Sequence, residues 1–472
     1  MKKILAFVLL LALLMPACMC EAGSGIADGT YVPEEFVFSG GTGRVTITCP
    51  EVSVENGAAT AKLVFSSRNY TSVRIDADSY DAEVSDEGTV FFVPVGLNRA
   101  FTVYATTVAM SAPHEIEYQM YIALGDVAPA GLRRTGSMFL RYARGFSVDY
   151  YEGGYAMISV EDGETYLVVP EGKEAPEGLH PSVTVLKQPL DNIYLAATSA
   201  MSLFDAVGAL DTIRLSGTQQ DGWYVENAVK AMENGDIIFA GKYSTPDFEL
   251  LIREHCRLAV ESMMILHTPQ VMELIRLLGI PVFIDRSSSE AHPLGRLEWI
   301  KLYGLLTGRE SEAENVFEAQ AAQVEVIDSK GGSGKTVAFF SVKPDGTVTV
   351  RGSEDYIARS IELAGGSYVF TSIEGQETNA SVSVTMETFY MTAKDADYII
   401  YNSAIEAPVS NVAELISVQP LLSDFRAVST GNVFCTHPSL YQSTDKIGTF
   451  IDDLGKMLSG ETEGMMFLNK LN

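Results

Sequence analysis

Residues 266–309 read LHTPQVMELIRLLGIPVFIDRSSSEAHPLGRLEWIKLYGLLTGR, and no other stretch constrains the fold as much. Val271, Leu274, Ile275 and Leu278 recur at helical spacing until Gly279 and Pro281 stop the pattern. Val282 to Asp285 then reads as a buried strand. After a polar break, a long amphipathic helix opens at Pro293 and carries Leu297, Trp299, Ile300, Tyr303 and Leu306. Strands and helices alternate on both sides of this segment. The pattern predicts α/β lobes joined by one long helix acting as a rigid strut.

The N-terminus bears on the compartment. Lys2 and Lys3 precede an apolar run from Ile4 to Leu14, followed by Met15-Pro16-Ala17-Cys18. That run is too short to span a bilayer, which needs about 20 residues of helix. A basic start, a short apolar core and a small residue before the break make a secretory signal over 1–17. Cys18, directly after Ala17, resembles the lipidated cysteine of a lipobox, with Cys20 as a rival. Residues 18–30 are small and polar enough to serve as a tether. The expected location is the outer face of the cytoplasmic membrane, held there only by the lipid.

The formal charge of −28 argues against nucleic acid or anionic lipid as partners. Of five cysteines, Cys18 and Cys20 belong to the lipobox region, leaving Cys49, Cys256 and Cys435. This is no disulfide framework, and no Cys/His spacing suggests a directly bound metal. Residues 31–126 show short β runs punctuated by Gly, Asn and Asp: Val45–Thr48, Thr60–Phe65, Ser72–Ile75, Thr89–Val95, Phe101–Thr107 and Glu115–Ala123. They predict an all-β, Ig-like sandwich. Beyond a Pro/Gly/Arg-rich break, strands alternate with helices. The expected strands are Ile193–Ala196, Thr212–Leu215, Ile237–Ala240, Met263–Leu266, Val282–Asp285, Val337–Val342, Tyr398–Tyr401 and Asn432–Cys435, with helices such as Asp355–Leu363 and Asp445–Leu458. These predict two parallel-sheet lobes, 137–290 and 330–472, with an interlobe helix region at 291–329. Ligands of such sheets bind at the carboxyl ends of strands, here the cleft between lobes.

Gly331-Gly332-Ser333-Gly334-Lys335-Thr336 imitates a phosphate-binding loop, but Ser329 stands where its first Gly belongs. It also follows a helix and opens a strand, the reverse of the order a phosphate site requires. No nucleophile elbow or helical metal spacing appears, so no enzyme and no resident cofactor are expected.

In its order of elements, 137–472 resembles the substrate-binding proteins of ABC importers for siderophores, heme and cobalamin, a class III periplasmic-binding-protein fold. The resemblance implies a metal chelate as solute, with a permease and its ATPase as partners. It places the ligand on loops after the lobe strands, which here hold Trp223, Tyr224, Tyr243, His267, Arg351, Tyr356, His437 and Tyr441. Planar rings suit a flat macrocycle or catecholate, and Arg351 suits a ligand carboxylate. Permease docking would fall to Glu249 and Glu387, each on one lobe. The β region, with KLVFSSRNYTSVRID and HEIEYQMY, resembles the near-iron transporter (NEAT) domain. That likeness implies heme contacts at Ser66, Tyr70, His114 and Tyr118, with His114 in place of the ligating Tyr. The expectation is an extracytoplasmic solute-binding lipoprotein for heme or a siderophore. A corrinoid receptor is the runner-up, and a surface adhesin or sensor and an exported enzyme are alternatives of other classes.

Overall fold

The computed structural model describes residues 28–472 except 42–44, 57, 86–87, 98–99, 110–112, 125–131, 162–163, 177–178, 180–182, 372–380 and 407. The expected signal, Cys18 and residues 18–27 of the expected tether therefore lie outside the described residues, whereas Gly29 and Thr30, expected in that tether, belong to the strand Gly29–Tyr31. The chain divides near Leu132 into two compact units.

The first unit is made of two five-stranded sheets, antiparallel throughout. One has the order Gly29–Tyr31, Ile47–Glu55, Ala58–Phe65, Gly88–Val95, Glu83–Ser85. The other runs Glu35–Gly40, His114–Ala123, Ala100–Thr107, Tyr70–Ile75, Asp78–Asp81. Alternate residues point inward, as a strand's period of two demands, and place Val52, Val54, Ala61, Leu63, Val103 and Ala105 in one shared core. Phe65 packs against Phe91 at 5.3 Å and Tyr70 at 4.8 Å between ring centroids. Gly29–Tyr31, Glu35–Gly40, Asp78–Asp81 and Glu83–Ser85, which the sequence pattern did not reveal, are the sheet edges. An edge strand is half covered at most, so its hydrophobic alternation is weak.

The second unit holds both lobes. It opens on a sheet absent from the sequence expectation: Arg134–Ser137, Phe146–Tyr151, Ala156–Val160 and Thr165–Val169 pair antiparallel in succession. Val183–Lys187 then joins the last of these in parallel. Gly153 and Gly154, at φ of +87° and +85°, form the tight turn of its second hairpin. The expected lobe 1 sheet follows, parallel throughout: Ile238–Phe239, Ile213–Ser216, Ile193–Leu195, Leu258–Ser262, Val282–Asp285. Its strands Ile193–Leu195 and Val282–Asp285 are buried along their whole length, which explains their apolar runs. One strand is corrected. Met263–His267 is a 3-10 helix started by the Ser262 side chain, and the strand is Leu258–Ser262. A short apolar run alone cannot separate these alternatives.

The strut is also corrected. Three helices, Pro293–Glu298, Ile300–Thr307 and Glu310–Asp328, replace the single long one. Gly308, left-handed at φ +69°, ends the second. A Cβ on Gly304 would lie 2.7 Å from Ala313 Cβ, so the second and third helices touch at that glycine. Ile300 to Leu306 is buried on every side rather than amphipathic. The 19-residue helix Glu310–Asp328 carries the solvent-facing side.

The lobe 2 sheet is mixed rather than parallel. Thr336–Val342, Tyr398–Tyr401 and Val433–Thr436 form a parallel centre, while Val348–Arg351, Ser381–Val384 and Leu468–Lys470 are antiparallel additions. Pro344-Asp345-Gly346 turns the chain back at once: Asp345 Oδ1 accepts from Thr347 N at 2.9 Å and Gly346 has φ +84°. Residues 343–356, which follow the first lobe 2 strand and hold Arg351 and Tyr356, are thus mostly a hairpin rather than a loop. The phosphate-loop imitation lies, as expected, between a helix and the strand Thr336–Val342.

Candidate functional site

Arg351 ends its strand, and four residues later Asp355 caps helix Tyr356–Leu363 by accepting from Ile357 N at 2.8 Å. Arg351 Nε donates to Asp355 Oδ1 at 3.2 Å, and its Nη1 donates to Ser381 Oγ. The Tyr368 hydroxyl accepts from Arg351 N at 2.9 Å and donates to its carbonyl at 2.8 Å. The guanidinium carbon lies 5.5 Å from the Tyr441 ring centre and 6.0 Å from that of Tyr356. Tyr441 Oη accepts from Asn402 Nδ2 at 2.9 Å. From the interlobe region, the Arg296 guanidinium covers the Tyr356 ring at 3.8 Å. Burial raises the phenols of Tyr356, Tyr368 and Tyr441 above their ordinary value, so they stay neutral. Burial likewise raises the Asp355 carboxyl, with Arg351 pulling against it.

The lobes meet one loop further on. Gln442 Oε1 accepts from Tyr224 N at 2.9 Å, and its Nε2 donates to Gly222 O at 2.8 Å. The Tyr224 ring stands edge-on to His437 at 6.3 Å. His437 Nδ1 is engaged with Ser439 Oγ at 2.7 Å, leaving Nε2 as the nitrogen for any ligand. Tyr224 is half exposed.

The sequence candidates thus sort themselves. Arg351, Tyr356 and Tyr441 converge in lobe 2, and Tyr224 with His437 closes the space between lobes. Trp223 belongs to the core, buried with its indole N–H on Ser216 Oγ at 3.1 Å. Tyr243 packs against the lobe 1 core, and His267 is exposed at the end of its 3-10 helix. Among the described residues, no hydrogen bond or ring contact joins either of them to the lobe 2 set. Asp355, Arg296, Asn402 and Gln442 were missed. Only the four-residue spacing of Arg351 and Asp355 offered a signal.

In the first unit, Tyr70 and Tyr118 are core residues whose hydroxyls share a hydrogen bond at 2.7 Å. Of the heme contacts expected from the NEAT likeness, Tyr70 and Tyr118 are thus committed to one another in the core. His114 is exposed at the start of its strand, and Ser66 Oγ accepts from Thr46 N at 2.9 Å. Glu249 and Glu387 are exposed in the first turns of helices Phe248–Arg253 and Met386–Ala393, capped by Asp247 and Thr385.

Two α/β lobes on an interlobe helical support, with polar and aromatic side chains gathered where their strand ends meet, define a bilobal binding protein. Residues 218–440 match the periplasmic binding protein family, and the chain carries a domain of that family there. An uncharacterized lipoprotein of Methanocaldococcus jannaschii is 25% identical over 357 residues, 68% of this chain and 82% of the relative. Among solved structures, a periplasmic heme binding protein of Vibrio cholerae aligns over 56% of this chain and 98% of its own, at 17% identity and TM-score 0.47. A periplasmic vitamin B12 binding protein of the same species aligns over 57% and 96%, at 13% identity and TM-score 0.42.

Proposed function

We propose that the protein is the extracytoplasmic solute receptor of an ABC importer, lipid-anchored through Cys18, and that it delivers an iron chelate, heme or a siderophore, to the permease. The observation that carries this reading is the convergence of Arg351, Arg296, Tyr356 and Tyr441 beside the loop contact of Tyr224, His437 and Gln442. Rings and cations gathered in this way suit a flat or polyphenolic, anionic solute. The family of residues 218–440 speaks for a receptor rather than a catalyst. The lipoprotein name of the archaeal relative speaks for the anchor.

The test is the absorption spectrum and mass of whatever co-purifies, followed by titration with hemin, cobalamin and ferric siderophores. Saturable binding of an iron chelate, without turnover, is expected. Tight cobalamin binding with no response to hemin or ferric siderophores would transfer the assignment to a corrinoid receptor.

A further inference from the structure

The two guanidiniums around Tyr356 differ in what they have left to offer. Arg351 is committed to Asp355, Ser381 and the Tyr441 face, and its side chain is 13% exposed. Arg296 has another environment. Its guanidinium stacks on Tyr356 at 3.8 Å, and Nη1 donates to Ser288 O at 3.3 Å. Among the described residues no ion pair forms on Arg296, although acidic residues far outnumber basic ones in this chain. A stacked guanidinium keeps its N–H edge available, and that edge presents donors in the planar fork that matches a carboxylate or catecholate. Arg296 itself is partly buried, with Ser288 at the end of lobe 1 on one side and Tyr356 at the start of a lobe 2 helix on the other.

We infer that Arg296 takes an anionic oxygen of the bound chelate, whereas Arg351 acts through Asp355 to hold the Tyr356 and Tyr441 surface in place. This rests on the proposed reading of the protein as an iron-chelate receptor. It moves the anion-binding role from the arginine the sequence suggested to one inside the interlobe segment.

Hemin and hemin dimethyl ester share ring and iron and differ in two carboxylates, so titrating the full chain with both by Soret absorbance isolates the charge. Arg296→Gln is expected to weaken hemin roughly 10- to 100-fold, the loss of a charge-assisted hydrogen bond, and to leave the ester unchanged. Arg296→Lys should recover part of the hemin affinity, as a point charge without the fork. Arg351→Gln should weaken both compounds alike and lower the melting temperature. If the protein prefers siderophores, ferric tris-catecholate and a neutral ferric trihydroxamate replace the pair with the same expectation. Equal losses for charged and neutral compounds in Arg296→Gln, or none, would overturn the inference alone. A wild-type protein that binds neither hemin nor ferric tris-catecholate would overturn the receptor reading as well.

Discussion

Glu261 sits in an inner strand of the lobe 1 sheet, Leu258–Ser262, with no exposed surface, and neither carboxyl oxygen has a hydrogen-bond partner among the described residues. Burial pushes its pKa from 4.5 up to about 8, so the folded protein holds a proton there that the unfolded chain has lost. Folded chains then bind more protons than unfolded ones between these values, and stability falls as pH rises. The contribution is fully present below about 4.5, is lost progressively up to about 8, and amounts to several kcal/mol. Glu261→Gln, which keeps the shape and cannot ionise, should therefore melt higher than wild type by a margin that widens from pH 5 to pH 9. Parallel melting curves over that range would show that Glu261 does not titrate as described. The phenols of Tyr70 and Tyr118 teach a related lesson: a polar group in a core is tolerated when it meets another.

Among the elements, the segment before lobe 1 is fastened to the interlobe helices by two buried carboxylates. Glu298 accepts from the backbone N–H groups of Arg141, Tyr142 and Ala143, and Glu290 from those of Arg144 and Gly145 and from the Trp299 indole. Lys301 supports Glu298 at 3.4 Å and Glu314 at 3.1 Å. Glu298→Gln would turn amide hydrogens toward N–H donors, and a loss of about 3 kcal/mol in denaturant unfolding is expected. A loss under about 0.5 kcal/mol would mean that the segment is held by its packing. Beside the Tyr224–His437 ring contact, the hydrogen bonds between loops 217–224 and 437–446 come from one deletable side chain, since both partners of Gln442 are backbone groups. Spin labels placed on the two lobes should report a broader, longer distance in Gln442→Ala than in wild type. An unchanged distribution would assign lobe closure to other contacts.

For the whole molecule, the proposed role requires an anchor and a docking face. Cys18→Ser should shift the protein from the membrane fraction to the soluble one, or leave the precursor unprocessed; unchanged retention would remove the lipid from the proposal. Glu249 and Glu387 occupy matching positions, the second residue of a capped helix in each lobe. Replacing both with Ala is expected to abolish uptake into cells and leave chelate affinity intact, because both are exposed and, among the described residues, neither bonds to the ring cluster. Lost chelate affinity would place them at the ligand instead and overturn the docking role. The contribution of such exposed charges should also weaken with added salt.

Much of the architecture was legible because hydrophobic periodicity is local. Val282 to Asp285 and Tyr398 to Tyr401 were readable to the residue, being buried on both faces and bounded by turns. Helix Asp355–Leu363 was readable from its apolar spacing, and Asp355 proved to be its cap. The edge strands of the first unit's sheets were not legible, nor was the break of the strut at Gly308, because half-covered strands and packed helices leave a weak or ambiguous period. The site divides the same way. The sequence alone determined which residue types end up on the loops after the lobe strands. Only the tertiary structure decided that Arg351 is spent on Asp355, that Arg296 stands without an ion-pair partner over Tyr356, and that Trp223 turns into the core. Gln442 reaches Tyr224 across 218 positions. Contacts of that span arise from how two lobes pack on a shared helical support, which no local pattern in the chain encodes.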